Sequence, residues 1–489
     1  MTVTPADERA VIAGQPSRLF IGGTWRDSAT GRTFPVEDPA TGATLCSVAD
    51  AGPEDALDAL AAAAGAQEAW AACPARERGE ILYRAFELIR ARTDQLALLM
   101  TLEMGKPLAE ARGEVGYAAE FFRWFAEQAV RIDGRYATSP DGRSRFLISR
   151  RPVGPSVLVT PWNFPLAMGT RKIGPALAAG CTTVVKPAEQ TPLSMLALAG
   201  ILEEAGVPAG VVNLITTSSP GEVVAALLDD GRARKVSFTG STEVGRILMA
   251  GAAKHLMRIS LELGGNAPLL VLADADLDVA VDGAVQAKMR NIGEACTAAN
   301  RLLVAEPVRD EFAARLAERM GALRVGRGTE PDTDVGPLID TDAVAKVTRL
   351  VDDAVGRGAK VLVGGEAVPG AGHFYRPTVL TGVADEAAML GEEIFGPVAP
   401  VLTFADEDEA IARANATPYG LVSYVFTRDL DRGLRVADRL ETGMVGINQG
   451  VVSNPAAPFG GIKHSGLGRE GGLEGIDEFL EKKYVAAPA

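Results

Sequence analysis

The chain has 489 residues, too many for one ordinary hydrophobic core, so two or three domains are expected. With 47% hydrophobic and 23% charged residues it reads as globular, and a net charge of −14 argues against nucleic acid or an anionic membrane as partner. Cys46, Cys73, Cys181 and Cys296, with His255, His373 and His464, lack the spacing of a disulfide framework or a zinc site, so no metal is expected.

The N-terminus is polar, without an apolar leader segment, and no apolar run is long enough to span a bilayer; the expectation is a cytoplasmic protein. Residues 1–17 read as a loose tail. Residues 18–25 are strand-like around Gly22-Gly23, as at the start of a hairpin. Helical spacing follows over 53–72, 75–104 and 110–132, and the aromatics Phe121, Phe122, Trp124 and Phe125 of the last read as core. From residue 146 the pattern changes. A strand at 146–151 precedes short apolar strands at 156–160, 182–186, 211–216, 235–239 and 258–263, alternating with helices at 166–179, 193–205, 221–229 and 244–254. That order predicts a parallel sheet covered by helices on both faces, with a ligand at the carboxyl ends of its strands.

A second alternating segment has helices at 277–289, 310–320, 342–357 and 407–414. Its strands fall at 300–305, 360–363, 378–381, 399–403, 423–427 and 443–448, which predicts a second α/β domain. Residues 471–485 read as a strand closing against another element or another subunit.

The chemistry concentrates at Arg290-Asn-Ile-Gly-Glu-Ala-Cys-Thr-Ala-Ala-Asn-Arg301, where Cys296 stands among small residues that leave its sulfur open. A thiol attacks as thiolate, favoured by nearby positive charge. The same stretch also fits a buried structural cysteine. Phe238-Thr-Gly-Ser-Thr-Glu-Val-Gly245 follows a strand and opens a helix, whose N–H groups can hold a phosphate. Thr242 replaces the middle glycine of G-x-G-x-x-G, so a plain strand–helix turn fits as well. Lys186 and Glu189, at another strand end, suit ribose hydroxyls. Glu189 would repel a 2′-phosphate, which favours NAD over NADP.

Further stretches stand in order with these: Pro161-Trp-Asn-Phe-Pro165, Lys186-Pro-Ala-Glu-Gln-Thr-Pro192, Leu261-Glu-Leu-Gly-Gly-Asn266, Glu393-Ile-Phe-Gly-Pro397 and Pro458-Phe-Gly-Gly-Ile-Lys-His-Ser-Gly466. On these motifs the chain resembles the aldehyde dehydrogenase superfamily over nearly its full length. The resemblance implies an α/β fold with a Rossmann-like cofactor domain (1–131 and 152–262), an α/β catalytic domain (263–454) and a small oligomerisation element with the C-terminal segment (132–151 and 455–489). It implies a homodimer or homotetramer acting on a small aldehyde.

By the same resemblance Cys296 is the nucleophile, and the Asn163 amide with the Cys296 backbone N–H forms the oxyanion hole. Glu262 is the base, and Lys172 and Glu470 form a proton-relay pair or a plain ion pair. The implied cofactor is NAD, with NADP possible, held by Thr160, Pro161, Trp162, Lys186, Glu189, Phe238, Gly240, Ser241, Val244, Leu263, Glu393 and Phe395. Glu294 departs from the family's more frequent glutamine, and an extra carboxylate there is expected to raise the thiol pKa or act as a second base. Ala298 removes the second cysteine of a redox-switch disulfide.

Within the superfamily, 169–172, 289–291 and 452–454 are most similar to succinate-semialdehyde dehydrogenases. That likeness implies that Arg171, Arg290 and Ser453 clamp a distal carboxylate between the aromatic walls Phe164 and Phe459. The expected reaction is oxidation of succinate semialdehyde to succinate through a cysteine thioester. The alternatives are another aldehyde such as glutarate semialdehyde, or ester hydrolysis by the same thiol without redox chemistry.

Overall fold

The computed structural model describes residues 3–489. Its first sheet has eight strands in the order Thr24–Arg26, Leu19–Ile21, Val212–Leu214, Thr183–Lys186, Ser156–Val159, Lys235–Thr239, Arg258–Glu262 and Gly466–Leu467. The five strands from Val212–Leu214 to Arg258–Glu262 are parallel. Ser156–Val159, Thr183–Lys186 and Lys235–Thr239 are buried at every position, because helices cover both faces. Chain order reverses between Ser156–Val159 and Lys235–Thr239, and the crevice at their carboxyl ends is where such sheets bind ligands.

The second sheet runs Lys360–Val363, Thr378–Thr381, Val398–Phe404, Ala299–Ala305, Ala267–Val271, Val422–Phe426, Met444–Ile447. It is parallel except for its antiparallel edge strand Lys360–Val363. Its inner strand Ala267–Val271 has no counterpart among the sequence-based expectations. It follows Arg258–Glu262 with no helix between, so the alternation gave no mark for it.

Three other features depart from expectation. The tail contains a helix, Pro5–Ala13: Thr4 Oγ1 accepts from Asp7 N (3.3 Å) while Thr4 N donates to Asp7 Oδ2 (2.9 Å), and Val11 is buried. Residues 1 and 2 of that stretch lie outside the described residues. The single helix expected over 75–104 is two, Ala75–Ala91 and Thr93–Met104, broken at Arg92 (φ −105°, ψ 20°). Thr93 causes the break locally, its hydroxyl donating to the Arg90 carbonyl (2.7 Å) in competition with the helix ladder. A hairpin, Thr33–Asp38 with Ala43–Ala49, and a strand, Arg135–Thr138, are also additions.

The C-terminal segment serves both ends of the molecule. Glu262 pairs with Gly466 across an antiparallel contact, which returns the chain beside the first sheet. Further on, Leu480–Pro488 lies antiparallel on Ser144–Pro152, from Leu480 opposite Pro152 to Pro488 opposite Ser144. The closing strand expected at 471–485 therefore pairs within its own chain. Among the described residues no helix is long and apolar enough to cross a membrane, and no cluster of His, Cys, Asp and Glu is arranged to hold a metal.

Candidate active site

A cavity of about 360 Å³ opens at the carboxyl ends of the first sheet's strands, against the second sheet. Asn163 and Phe164 enter it from the turn after Ser156–Val159, Gly240 and Ser241 from the turn after Lys235–Thr239, and Leu263 and Gly264 from beyond Arg258–Glu262. Cys296 and Thr297 precede Ala299–Ala305, Arg171 projects from the helix Ala167–Ala179, and Arg290 caps the helix Leu277–Met289. Ser453 and Phe459 come from the loop after Met444–Ile447, and Glu393 and Phe395 from the loop before Val398–Phe404.

The turn before Cys296 is strained. Asn291, Ile292 and Gly293 are all left-handed, with φ of 54°, 64° and 80°. For Ile292, β-branched, that conformation typically costs ~1–3 kcal/mol and persists only when the surroundings enforce it. A Cβ on Gly293 would stand 2.3 Å from the Gly396 carbonyl oxygen, so glycine is required there. The enforcing bonds come from the opposite wall. Asn291 Nδ2 donates to the Asn163 carbonyl (2.9 Å) and the Glu294 carbonyl (3.0 Å), Asn291 N to Glu110 Oε2 (2.9 Å), and Asn163 Nδ2 to the Glu294 carbonyl (3.0 Å). Beneath Asn163, the buried Lys106 donates to its carbonyl (2.8 Å) and pairs with Glu114, whose Oε1 accepts from Leu166 N and Ala167 N at 3.0 and 3.1 Å. The cysteine loop and the Asn163 turn are thus tied into one rigid wall.

Glu294 does not meet the expectation that it acts on the thiol. Its Oε1 accepts from Ile339 N (3.0 Å), its side chain does not line the cavity, and burial pushes its carboxyl well above the usual range. The Cys296 thiol itself is pushed up to about 12 by burial, with Arg171 pulling the other way and Glu393 and Glu262 adding to the rise. Glu262 is buried with neither carboxylate oxygen hydrogen bonded. Burial, then the charge of Glu470, pushes its pKa well above the ordinary value. Its Oε1 stands 2.6 Å from where a Cβ on Gly460 would lie, and that Cβ would also meet the Gly468 carbonyl oxygen at 2.8 Å. Burial also pushes Glu470 upward, but Arg171 and Lys172, both in direct contact, outweigh it and hold the group below its usual value. Lys172 Nζ continues to Ser237 Oγ (3.0 Å). Glu470 is fixed in turn by reciprocal backbone bonds with Phe459 (2.7 and 2.8 Å).

The far end of the cavity is cationic. Arg290 Nη1 donates to Ser453 Oγ (3.1 Å), and its guanidinium lies over the rings of Phe164 (5.1 Å) and Tyr117 (5.8 Å). Arg171 stacks on Phe459 (4.0 Å) and turns Nε to Glu470, while its Nη2 is buried without a partner.

The remaining side of the crevice suits a dinucleotide. Ser241 caps the helix Thr242–Ala253 by accepting from Val244 N (3.3 Å), and the free N–H groups of that first turn suit a phosphate. A Cβ on Gly240 would come within 2.4 Å of the Phe238 ring, so Phe238 packs beneath the turn and does not line the cavity. Thr160 Oγ1 and Thr239 Oγ1 are buried without partners. Trp162 meets Phe395 edge-on (5.3 Å, 89°), and Glu393 Oε1 accepts from Gly265 N (3.1 Å), burial pushing its carboxyl to about 7. One strand over, Lys186 Nζ bonds Glu189 Oε2 (3.1 Å). Lys186, Glu189, Thr160 and Val244 do not line the cavity that holds the thiol; Thr160 and Lys186 stand at the carboxyl ends of inner strands, and Val244 in the first turn of the helix Thr242–Ala253. Orphaned hydroxyls, a phosphate-ready helix end and carboxylates placed for ribose together fit a nicotinamide dinucleotide.

The aldehyde dehydrogenase family model matches residues 25–485. The chain belongs to this family. It is 58% identical over 441 residues to the succinate-semialdehyde dehydrogenase of Paenarthrobacter nicotinovorans, covering 90% of this chain and 98% of that protein. It is 52% identical over 468 residues to the glutarate-semialdehyde dehydrogenase of Pseudomonas putida (strain KT2440), covering 96% and 97%. The crystal structure of an E. coli NADP-dependent enzyme matches with a TM-score of 0.96 at 49% identity, over 97% of this chain and 98% of that one.

In this aldehyde dehydrogenase one cavity gathers Cys296, Asn163, Arg171, Arg290, Ser453, Phe164 and Phe459, with Glu262, Lys172 and Glu470 behind it. Sequence reasoning missed Tyr117 and the Lys106–Glu110–Glu114 support. Tyr117 shares its helix, Leu108–Ala129, with buried aromatics at helical spacing, and nothing in that spacing separates it from them. Charged residues in an amphipathic helix read as solvated, and only the folded chain brings Lys106 to Asn163.

Proposed function

We propose that this aldehyde dehydrogenase oxidises succinate semialdehyde to succinate with NAD or NADP through a thioester on Cys296. The observation that carries the reading is the convergence of two guanidinium groups, from Arg171 and Arg290, and the Ser453 hydroxyl on the cavity that holds the thiol. A carboxylate in a water-poor cavity needs such partners, whereas a neutral aldehyde gains nothing from them.

Glu262, its proton affinity raised, takes the thiol proton, and the sulfur adds to the aldehyde carbon. Asn163 Nδ2 keeps one hydrogen beyond the one given to Glu294, and with the Cys296 N–H it receives the oxyanion; such donors are typically worth ~2.7–4 kcal/mol each. A bound nicotinamide supplies the hydride acceptor for the oxidation. Glu262 then deprotonates the water that attacks the thioester carbonyl, and the thiolate leaves. Glu470, Lys172 and Ser237 form the path by which Glu262 exchanges its proton.

The cofactor's pyrophosphate would lie at Gly240, Ser241 and the Val244 turn, above Phe238. Its nicotinamide half would lie among Thr160, Pro161, Trp162, Leu263, Glu393 and Phe395. Lys186 and Glu189 would face the adenosine ribose, and Glu189 favours NAD over NADP. Glutarate semialdehyde meets the same clamp, and one methylene gives only ~1–3 kcal/mol of discrimination, so it is the expected weaker substrate.

The reading keeps a cofactor domain over 1–131 and 152–262, a catalytic domain over 263–454 and a bridging element with the C-terminal segment over 132–151 and 455–489. A homodimer or homotetramer is supported by apolar side chains exposed on the three-stranded sheet, Tyr136 (64%), Leu147 (47%) and Tyr484 (57%). Four free cysteines accord with a cytoplasmic location. Arg290→Ala tests the clamp: KM for succinate semialdehyde should rise roughly tenfold or more while butanal is little affected. Equal effects on both aldehydes would refute it.

A further inference from the structure

We infer that the Tyr117 hydroxyl is a fourth ligand of the substrate's distal carboxylate and a determinant of selectivity for acidic over neutral aldehydes; this rests on the carboxylate-clamp reading above. Tyr117 lines the cavity together with Arg171, Arg290 and Ser453. Its oxygen is buried and has no hydrogen-bond partner, and the same holds for Nη2 of Arg171, a residue that lines the same cavity. Buried polar groups without partners are uncommon in folded proteins, and two of them on residues that line one cavity point to a ligand that accepts from both. Arg171 has turned Nε to Glu470 and Arg290 has given Nη1 to Ser453, so part of each cation is already engaged. A carboxylate offers about four lone-pair sites and accommodates the remaining donors at once.

The placement of the ring supports the assignment. Tyr117 packs edge-on against Phe121 (4.9 Å, 73°), and the Arg290 guanidinium lies over its other side at 5.8 Å. Both contacts need only an aromatic ring. Phenylalanine satisfies packing in the same helix at Phe121, Phe122 and Phe125, so the hydroxyl at Tyr117 answers a different requirement. It donates, it is neutral, and it stands beside the two cations whose charge it does not oppose. A methyl group in place of the carboxylate would leave it as unpaired as it is now.

Tyr117→Phe isolates the hydroxyl, because the ring and its contacts with Phe121 and Arg290 are retained. Steady-state kinetics of parent and variant with succinate semialdehyde and with butanal, at saturating NAD, provide the test. The inference expects kcat/KM for the semialdehyde to fall roughly tenfold to a hundredfold, chiefly through KM, with butanal changed by less than about twofold. Unchanged kinetics with the semialdehyde, or an equal loss on both aldehydes, would overturn it. A parent enzyme that shows no preference for the semialdehyde removes the clamp reading, and this inference with it. A selective parent whose selectivity survives Tyr117→Phe removes this inference alone.

Discussion

Glu262 carries the pH dependence of the site. Its carboxyl has no hydrogen-bond donor, is buried, and faces the charge of Glu470, so it binds its proton more tightly than an ordinary glutamate. The base form is lost as pH falls, so kcat should decline on an acid limb lying above the usual carboxylate range. Glu470→Gln removes the neighbouring charge and releases Arg171 and Lys172, both of which favour the ionised form of Glu262. The acid limb of the kcat profile should therefore move to lower pH; a limb that stays or moves up would refute the coupling. Cys296→Ala should abolish turnover, and Glu262→Gln should slow thioester hydrolysis more than its formation, visible as a burst of reduced cofactor in stopped-flow. Absence of a burst with a uniform slowdown would deny Glu262 the hydrolytic role. Arg171→Ala is the less selective of the two clamp variants, since Arg171 also holds Glu470: its loss should impair the neutral aldehyde as well, though less than the acidic one. Residues such as Cys296 and Glu262 were legible in the sequence because they stand inside short motifs. Tyr117 was not, because its distinction from Phe121 is one oxygen whose lack of a partner exists only in the folded cavity.

At the level of elements, the turn Asn291-Ile292-Gly293 decides where the sulfur stands. Its left-handed backbone is held by Asn163, Glu110 and the packing of Gly396, and it is the strain of this turn that the surrounding bonds must overcome. Gly293→Ala should cost roughly 1–3 kcal/mol in denaturant unfolding and displace the thiol, lowering kcat. An alanine variant with unchanged stability and rate would show that the turn is not strained in this way. The inner strands of the first sheet were legible as continuous apolar runs between helices, since burial on both faces leaves such a pattern. Ala267–Val271 was not, because no helix sets it apart from Arg258–Glu262. The helix Pro5–Ala13 was hidden because its apolar residues form no clear stripe, and its start is fixed by the Thr4–Asp7 capping box.

At the scale of the whole molecule, the two sheets face each other across the thiol, and the C-terminal segment joins them. It delivers Phe459, Gly460 and Glu470 beside Glu262 before continuing to the strand Leu480–Pro488. That strand carries exposed Val485 (44%) on the face of Leu147 and Tyr136, and exposed Tyr484 (57%) on the other face, so a chain ending at Phe479 should sediment as a smaller species than the full chain. Sedimentation of the two at the same size would contradict assembly through this sheet. The motifs made the family legible over most of the chain, whereas the support beneath Asn163 depends on contacts between distant residues that no local pattern encodes. The most direct test of the central claim is kcat/KM for succinate semialdehyde beside butanal, followed by reduced-cofactor absorbance with NAD and with NADP. The account predicts strong preference for the semialdehyde with either cofactor, and higher efficiency with NAD. Equal rates for the two aldehydes would leave the dehydrogenase chemistry standing and contradict the carboxylate clamp on which its substrate assignment rests.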